Sequence, residues 1–451
     1  MIQSMSTVAK SKDRTKLVIR QSVLGLLFRF GAVAASFAMM PVMLRQLGAH
    51  QLGVWLVLLS VFQWITFFDL GVAAGARNEI ARAVANHDVD HTRRAIATGW
   101  YYTVIVTVVM ALCIAVALGI LPVARWLQVS AFSGIDPGPA LWIVAIGASL
   151  SFGLSYIQMV YAAHQKAAAI SVFSFLANIG FLVLLLTVPV SGVQGDDPGS
   201  GLTRMAMCYL AAMLAANVWL IGRFFYLHPE LVPRRRMVDA ALKSKIMGFG
   251  LRLFAIQLAA MLIFTTSRLM VSVFVGTSDV VVYDAAFKIF SVVTMAHGLV
   301  MSTLWSSFTH AYEQKDWHWI RMTLRRLMLL MIPLTIGCCV LALIAPAIVK
   351  HWLGAAQVGS PALYTWFALS IVLSCWSNIF AYFLNGVGDV RTQFYSAMIA
   401  AAINIPISFL FAVILGFGTP GILIGTVCST AIFSVLGPWR ASTFIKEKAG
   451  V

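Results

Sequence analysis

Long apolar runs separated by short polar gaps occupy the chain almost from end to end. Each run is about as long as the ~20 residues that an α-helix needs to cross a bilayer. The runs predict spans at residues 22–46, 52–75, 97–122, 139–163, 168–190, 203–226, 248–275, 281–308, 324–349, 362–385, 392–416 and 419–439. This pattern predicts an all-α integral membrane protein with about 12 transmembrane helices.

The composition supports the same conclusion. Of the 451 residues, 60% are hydrophobic and 11% are charged, and the mean hydropathy is +0.89. Soluble domains carry roughly 25% charged residues, so a soluble core does not account for this chain. All six cysteines lie inside apolar runs without metal-ligand spacing, which indicates small core residues. We therefore expect neither a metal site nor a cofactor.

The N-terminal segment allows two interpretations. A basic stretch from Lys10 to Arg20 precedes an apolar run with several alanines, as in a secretory signal peptide. The apolar run continues to Leu44, however, which is longer than the hydrophobic region of a signal. We therefore favour a retained first span, which also preserves the charge pattern described next.

Lysine and arginine are concentrated before the first span, in every second gap and after the last span. The principal cations there are Lys10, Lys12, Arg14, Lys16, Arg20, Arg77, Arg82, Arg93, Arg94, Lys166, Arg234, Arg235, Arg236, Lys243, Lys245, Lys315, Arg321, Arg325, Arg326, Arg391, Arg440, Lys446 and Lys448. Because cytoplasmic loops of membrane proteins are enriched in these residues, both termini are predicted to be cytoplasmic, with an even number of spans. The net charge of +16 is explained by this topology, and we expect no nucleic-acid partner.

The two halves of the chain are weakly similar. Residues 47–96 align with residues 275–324, which places Trp55 opposite Tyr283 and Asp88 opposite Asp316. Shared membrane composition is the alternative explanation, because apolar segments resemble one another. We favour a true repeat, since an apolar span is followed by a short polar, basic gap in both places.

A repeat of this kind predicts two parallel six-helix bundles. The first would cover residues 1–227 and the second residues 248–451, joined by a basic cytoplasmic linker at 228–247. Parallel repeats are a transporter architecture, in which the substrate path lies between the two halves.

Ionisable residues inside the predicted spans are the candidate functional residues, because a charge at the bilayer centre costs at least ~2.5–3.5 kcal/mol. The cations are Arg29, Arg252, Arg268 and Lys288, and the acids are Asp69 and Asp284. Four cations suggest a water-filled cavity that binds an anion. Arginine is suited to phosphate because its planar guanidinium group can donate two parallel hydrogen bonds. We predict that the cations bind substrate and that the two acids serve coupling or gating.

Structural explanations compete for several of these residues. Asp284 and Lys288 are four residues apart on one helix face and could neutralise each other. Arg252 is shallow enough to extend its charge to the cytoplasmic surface. Asp69 lies near the end of its span, where it could pair with Arg77.

Three segments resemble motifs of a known family. Asp69-Leu70-Gly71 followed by Ala74-Gly75-Ala76-Arg77-Asn78 is one, the turn from Leu384 to Gln393 is the second, and Asn404-Ile405-Pro406 is the third. Together they resemble the polysaccharide and lipid-linked oligosaccharide flippases of the multidrug/oligosaccharidyl-lipid/polysaccharide exporter superfamily. The glycine-rich turn also fits a tight connection between helices in any membrane protein.

The resemblance implies a cargo, partners and a location. The cargo would be an oligosaccharide linked through pyrophosphate to a polyprenyl lipid, whose head crosses as the two halves open alternately. The location would be the bacterial cytoplasmic (inner) membrane. The partners would be the lipid bilayer and the cargo, with other polysaccharide-assembly proteins as further candidates.

Other functions make different demands on the sequence. A multidrug/cation antiporter of the same superfamily needs acids inside the bundle, whereas this chain has mostly cations there. A peptidoglycan-precursor flippase would also want a cationic cavity, but such proteins commonly carry additional spans. A membrane glycosyltransferase, acyltransferase or polymerase needs converging catalytic groups, and the short outer gaps offer no paired carboxylates or nucleophile motif. We therefore expect a transporter that is not an enzyme.

Overall fold

The structure, a computed structural model, describes residues 2–67, 72–86, 88–121, 137–164, 166, 168–188, 198–246, 266–389 and 391–449. All regular elements within these ranges are helices. The α-helices are α1 (Ile2–Phe67), α2 (Val72–Ala85), α3 (Val89–Ile120), α4 (Gly138–Ala163), α5 (Ala168–Thr187), α6 (Pro198–Leu227), α7 (Ser267–Phe274), α8 (Thr277–Glu313), α9 (Trp317–Leu353), α10 (Pro361–Gly386), α11 (Arg391–Phe409) and α12 (Thr419–Ala449). Short 3-10 helices lie at Pro229–Leu231, Arg235–Met237 and Ala355–Gln357, and a π-helical turn, Leu410–Ile414, follows α11.

The predicted membrane spans correspond to these helices. Within the described ranges, 10 helices are long and apolar enough to cross a membrane. One of them, α1, joins the first two predicted spans across a kink at Gly48, whose backbone is not helical (φ 72°, ψ 171°). Most of the predicted span 248–275 lies outside the described residues, with α7 at its end. The all-α fold with about twelve spans is confirmed.

The N-termini of α3 and α9 are capped in the same way. The Asp88 carboxylate accepts a hydrogen bond from the His91 backbone N–H at 2.9 Å, and Asp316 accepts one from the Trp319 N–H at 2.9 Å. An acidic side chain satisfies backbone donors that have no partner inside the helix and complements the helix dipole. The two aspartates are therefore equivalent locally, as their alignment in the two halves predicted.

The chain forms two compact units. The first consists of Met1–Gly48 and Val61–Gln257, and the second of Ala49–Ser60 and Leu258–Val451. Residues 49–60, although they precede most of the first unit in sequence, therefore belong to the second. The role of residues 228–247 as a cytoplasmic linker stays a prediction.

In the first unit, α4 lies at the centre and packs against α2, α3 and α6. Its Tyr156 is 1% exposed and donates a hydrogen bond to the Ile96 carbonyl of α3 at 3.4 Å. The N-terminal part of α1 is fixed to α5 by polar contacts, since Asn178 donates to the Ala32 carbonyl at 2.9 Å. These two hydrogen bonds hold α4 against α3 and α5 against α1.

In the second unit, α10 packs against α8, α9 and α12, and α12 packs against α11. Residues 49–60 join this unit by close backbone approach, because a Cβ on Gly53 would overlap the carbonyl group of Thr277 at the start of α8. The Thr277 hydroxyl and His50 Nδ1 are 2.7 Å apart beside this contact. The N-terminal end of α8 is thereby fixed, and α8 carries most of the candidate site.

Candidate functional site: an ion cluster in the second unit

Two neighbouring helices supply the charged side chains of the site. Arg268 lies in the first turn of α7, while Asp284, Phe287 and Lys288 lie on α8. Phe287 and Lys288 lie three and four positions after Asp284, so each is a neighbour of Asp284 on the helix surface. Because α7 and α8 pack together, Arg268 reaches this surface.

Arg268 and Asp284 form a buried salt bridge. The Arg268 Nε donates to Asp284 Oδ1 at 2.8 Å, and a second guanidinium nitrogen lies 2.5 Å from the same oxygen, with the side chains 17% and 0% exposed. The other carboxylate oxygen, Asp284 Oδ2, is buried and accepts no hydrogen bond from the described residues. Arginine has five N–H donors, so this pairing leaves some of them available to another acceptor.

Phe287 and Lys288 complete the ion cluster, by which we mean Arg268, Asp284, Phe287 and Lys288. The guanidinium carbon of Arg268 lies 5.5 Å from the centre of the Phe287 ring, a distance typical of cation–π contacts. Lys288 is half-buried and interacts electrostatically with both Asp284 and Arg268. Two cations and one acid leave the ion cluster with an excess of positive charge.

The pairing of Asp284 differs from the simplest expectation from sequence. Four-residue spacing suggested that Asp284 neutralises Lys288, but the salt bridge of Asp284 goes to Arg268, sixteen positions away. The sequence offered no signal for this contact, because it depends on how α7 packs against α8. Lys288 interacts electrostatically with both members of this salt bridge.

The other candidate residues lie elsewhere. Arg29 is exposed on α1, in the first unit, next to Phe28, whose ring packs against Phe175 at 5.3 Å. Arg252 and Asp69 lie outside the described residues. Substrate binding by Arg29, Arg252, Arg268 and Lys288, and coupling by Asp69 and Asp284, stay predictions.

The motif around Gly75 has a structural explanation in the first unit. A Cβ on Gly75 would overlap the backbone of Ile246, and Ala76 is 0% exposed. Arg77 is exposed. Small residues at these positions therefore allow close helix packing.

The glycine-rich turn after α10 is also structural. Gly388 has a φ of 80°, a conformation that favours glycine over other residues. The neighbouring Asp389 accepts a hydrogen bond from Arg440 of α12 at 2.7 Å. Asn404 of the third motif is 0% exposed and donates to Ser429 of α12 at 3.3 Å, so both segments fix α12 in the second unit.

A polar cluster at the ends of α4 and α6 was not singled out from the sequence. Lys166 Nζ lies 3.2 Å from His228 Nε2, and His228 Nδ1 lies 3.3 Å from Glu230 Oε1. Nearby, burial lowers the pKa of His164, and the positive charge of Lys166 lowers it further. Lys166 is the one cation in its sequence gap, which could have marked it as a residue with a specific role.

Metal ligands do not converge in the part of the chain that the structure describes, where no group of three or more His, Cys, Asp or Glu side chains could hold an ion. The six cysteines are free thiols.

Two family models match the chain. The model described as "Polysaccharide biosynthesis protein" matches residues 25–305, which is more than half of the sequence. The model MatE matches residues 253–410. No curated protein matches the chain.

Several solved structures share the fold. An inward-facing multidrug resistance MATE family transporter of the MOP superfamily is 13% identical, with a TM-score of 0.77 over 95% of this chain and 99% of that chain. An outward-facing MATE transporter is 14% identical, with a TM-score of 0.66 over 96% of each chain. A MOP superfamily transporter from Pyrococcus furiosus, for which reverse polarity of the binding pocket suggests a different function, is 14% identical, with a TM-score of 0.60 over 96% of this chain and 94% of that chain. At such identities these likenesses concern the fold alone.

Proposed function

Because the chain belongs to the polysaccharide biosynthesis protein family, we propose that it is a flippase for a polyprenyl-pyrophosphate-linked oligosaccharide. It moves this lipid across the bacterial cytoplasmic membrane for the synthesis of a surface polysaccharide, such as exopolysaccharide, O-antigen or capsule. The sugar head crosses by alternating access through a cationic central cavity while the lipid tail stays in the bilayer. The protein makes or breaks no covalent bond and is a transporter, not an enzyme.

The observation that carries the proposal is the excess positive charge of the ion cluster. Charges within membrane-spanning helices are costly and mark ligand pathways. Arg268 has donors left after it binds Asp284, and Lys288 adds a second cation. A pyrophosphate group, with its anionic oxygens, can accept charge-assisted hydrogen bonds from both.

Asp284 provides a way for the ion cluster to release the bound cargo. Without cargo, its carboxylate holds Arg268 and lowers the cost of the buried guanidinium. Pyrophosphate competes with this carboxylate for Arg268, so binding and release become an exchange of one acceptor for another. Asp284, together with Asp69, is therefore proposed for coupling or gating, while Arg29 and Arg252 are proposed to bind the anionic head.

The charge of the ion cluster also argues against a cation antiporter. Such a transporter needs an acid that is free to bind its substrate or coupling ion, whereas Asp284 is 0% exposed and paired with Arg268. The Pyrococcus furiosus transporter supports the idea that pocket polarity differs with function within this fold. A peptidoglycan-precursor flippase remains the alternative with the same charge requirement.

The test is reconstitution of the protein in liposomes that contain a fluorescent oligosaccharide on polyprenyl pyrophosphate. Flipping is measured as loss of accessibility to a membrane-impermeant quencher. We expect the intact protein to flip this lipid and Lys288→Gln to slow flipping roughly tenfold, since a hydrogen bond to a charged group contributes about 1.5–3 kcal/mol. Lys245→Gln is the matched control, because Lys245 is exposed on the first unit, and it should leave the rate unchanged.

Two further arms distinguish the alternatives. Uptake of a cationic dye without flipping of the oligosaccharide lipid would identify an antiporter. Preferential flipping of a peptidoglycan precursor would assign the protein to that cargo. Absence of flipping by well-folded protein would refute the proposed function.

A further inference from the structure

A groove on the first unit has the chemistry of an anion-binding site within a membrane surface. It has a volume of about 460 Å³ and lies between α1, α4, α5 and α6, with Lys166 at the α4–α5 connection. Leu24, Phe28 and Val172 form part of its apolar wall, while Lys166 and Arg223 are its cations. Among the described residues that line it there is no acid, so no described carboxylate lies beside these two positive charges in the groove.

Lys166 is held in position by a chain of polar contacts. Its Nζ lies 3.2 Å from His228 Nε2, and His228 Nδ1 lies 3.3 Å from Glu230 Oε1. Because an ammonium group has only donors, His228 accepts the lysine hydrogen bond at Nε2 and donates through Nδ1 to Glu230. The ammonium group is thereby directed by an imidazole, and it has two further N–H donors.

Arg223 is positioned by an aromatic ring. Its guanidinium carbon lies 5.5 Å from the centre of the Trp219 ring, and the Trp219 side chain is 46% exposed. Contact with a ring face leaves the N–H groups at the edge of the guanidinium free to bind phosphate. The Tyr161 hydroxyl in the same groove donates to the Leu220 carbonyl at 3.3 Å.

The groove lies at helix ends that the charge pattern predicts to be cytoplasmic. Tryptophan and cations at helix ends are typical of the membrane–water interface. Basic pockets between spans on the cytoplasmic side bind anionic lipid headgroups. We propose that this groove binds an anionic glycerophospholipid of the cytoplasmic leaflet, with its phosphate between Lys166 and Arg223 and an acyl chain along Leu24 and Phe28.

The lining of the groove favours a phospholipid of the bilayer over the proposed cargo. The described residues that line it are apolar or aromatic apart from Lys166 and Arg223, whereas the many hydroxyls of an oligosaccharide call for amide or carboxylate partners. The ligand is accordingly a resident lipid that is distinct from the transported one. The inference therefore stands or falls independently of the flippase function.

Native mass spectrometry of the purified full-length protein tests the proposal, with phosphatidylglycerol and phosphatidylcholine as probes. We expect one tightly retained phosphatidylglycerol and no comparable phosphatidylcholine. Lys166→Ala with Arg223→Ala should lower phosphatidylglycerol affinity about 25-fold, since each basic residue near a membrane surface contributes about a fivefold effect. Lys245→Ala with Arg236→Ala removes the same charge from exposed positions of the same unit and should have no effect.

Other outcomes decide against the proposal. Unchanged phosphatidylglycerol binding in the first double variant, or equal retention of phosphatidylcholine by the intact protein, would overturn it. Displacement of phosphatidylglycerol by an equimolar amount of polyprenyl pyrophosphate would reassign the groove to the carrier lipid. The double variant Lys166→Arg with Arg223→Lys keeps both charges and should retain most of the phosphatidylglycerol binding. It therefore distinguishes an effect of lost charge from an effect of misfolding.

Discussion

Arg268 and Asp284 determine each other's chemistry at the scale of single residues. Each would be costly alone in the interior of a membrane protein, and both act electrostatically on the neighbouring Lys288. The residue types in the spans identified these positions as candidates. Their pairing depends on the contact between α7 and α8, which spacing along the chain does not reveal.

A double-mutant cycle tests this pairing. Asp284→Leu should destabilise the protein by about 3–5 kcal/mol, because it leaves a buried guanidinium without its partner. Adding Arg268→Leu should recover a large part of that loss, since two apolar groups then replace the ion pair. The free energy of unfolding in detergent is the measurement.

The exposed pair Arg93–Asp90 provides the control for that cycle. Its nitrogen–oxygen distance is 3.5 Å, and the two side chains are 32% and 78% exposed. Removing one partner should cost at most about 1 kcal/mol, as for other surface pairs. Additive effects of Arg268→Leu and Asp284→Leu would contradict the coupling that we infer from the structure.

His164 gives a prediction on pH at the same scale. Burial lowers its pKa below the ordinary value of 6.5, so the unfolded chain takes up a proton at a higher pH than the folded protein does. The neutral ring therefore stabilises the fold above pH 6.5, and this contribution is lost as the pH falls below 6.5 and through the lowered pKa. We expect the melting temperature in detergent to fall between pH 7.5 and 5.

The variant His164→Gln isolates this contribution. It should be less sensitive to acid than the wild-type protein, because glutamine does not titrate. His318→Gln is the control, since His318 is exposed, and it should keep the wild-type pH profile. An identical acid response in His164→Gln and the wild-type protein would show that another group is responsible.

At the scale of elements, the apolar runs predicted where the helices lie, but not which unit each segment belongs to. Span positions could be predicted because each run satisfies its backbone hydrogen bonds within itself and partitions into lipid by its own composition. The non-helical backbone at Gly48 lies between the first two predicted spans, where the sequence placed their connection. The assignment of residues 49–60 to the second unit depends on tertiary contacts that the apolar pattern does not contain.

Gly53 tests how closely that segment packs. Gly53→Ala places a Cβ against the Thr277 carbonyl group, so we expect a loss of stability of about 3 kcal/mol, at the upper end for overpacked sites. Gly337→Ala is the matched control, because open space surrounds that helical glycine and alanine favours helix. Thermal unfolding measures both; equal effects of the two substitutions would argue against the close contact.

At the scale of the whole molecule, the alternation of basic gaps predicts orientation. Both termini should be cytoplasmic, and the gap at residues 191–202, which has two aspartates and no lysine or arginine, should face outward. A green fluorescent protein fused to the C-terminus should therefore fluoresce. Alkaline phosphatase inserted at residues 191–202 should be active, and the same enzyme at the C-terminus should be inactive. The reverse pattern of activities would contradict this topology.

The sequence alone determined the membrane environment, the all-α class and the approximate span count, and it identified the cations within the spans as candidates. These properties follow from the transfer free energy of each segment, which depends on the composition of that segment. The tertiary structure decided that Asp284 pairs with Arg268, and that Lys166 and Arg223 line one groove. Such contacts join residues distant in sequence, and their free energy depends on how helices pack. No property of one segment specifies that packing.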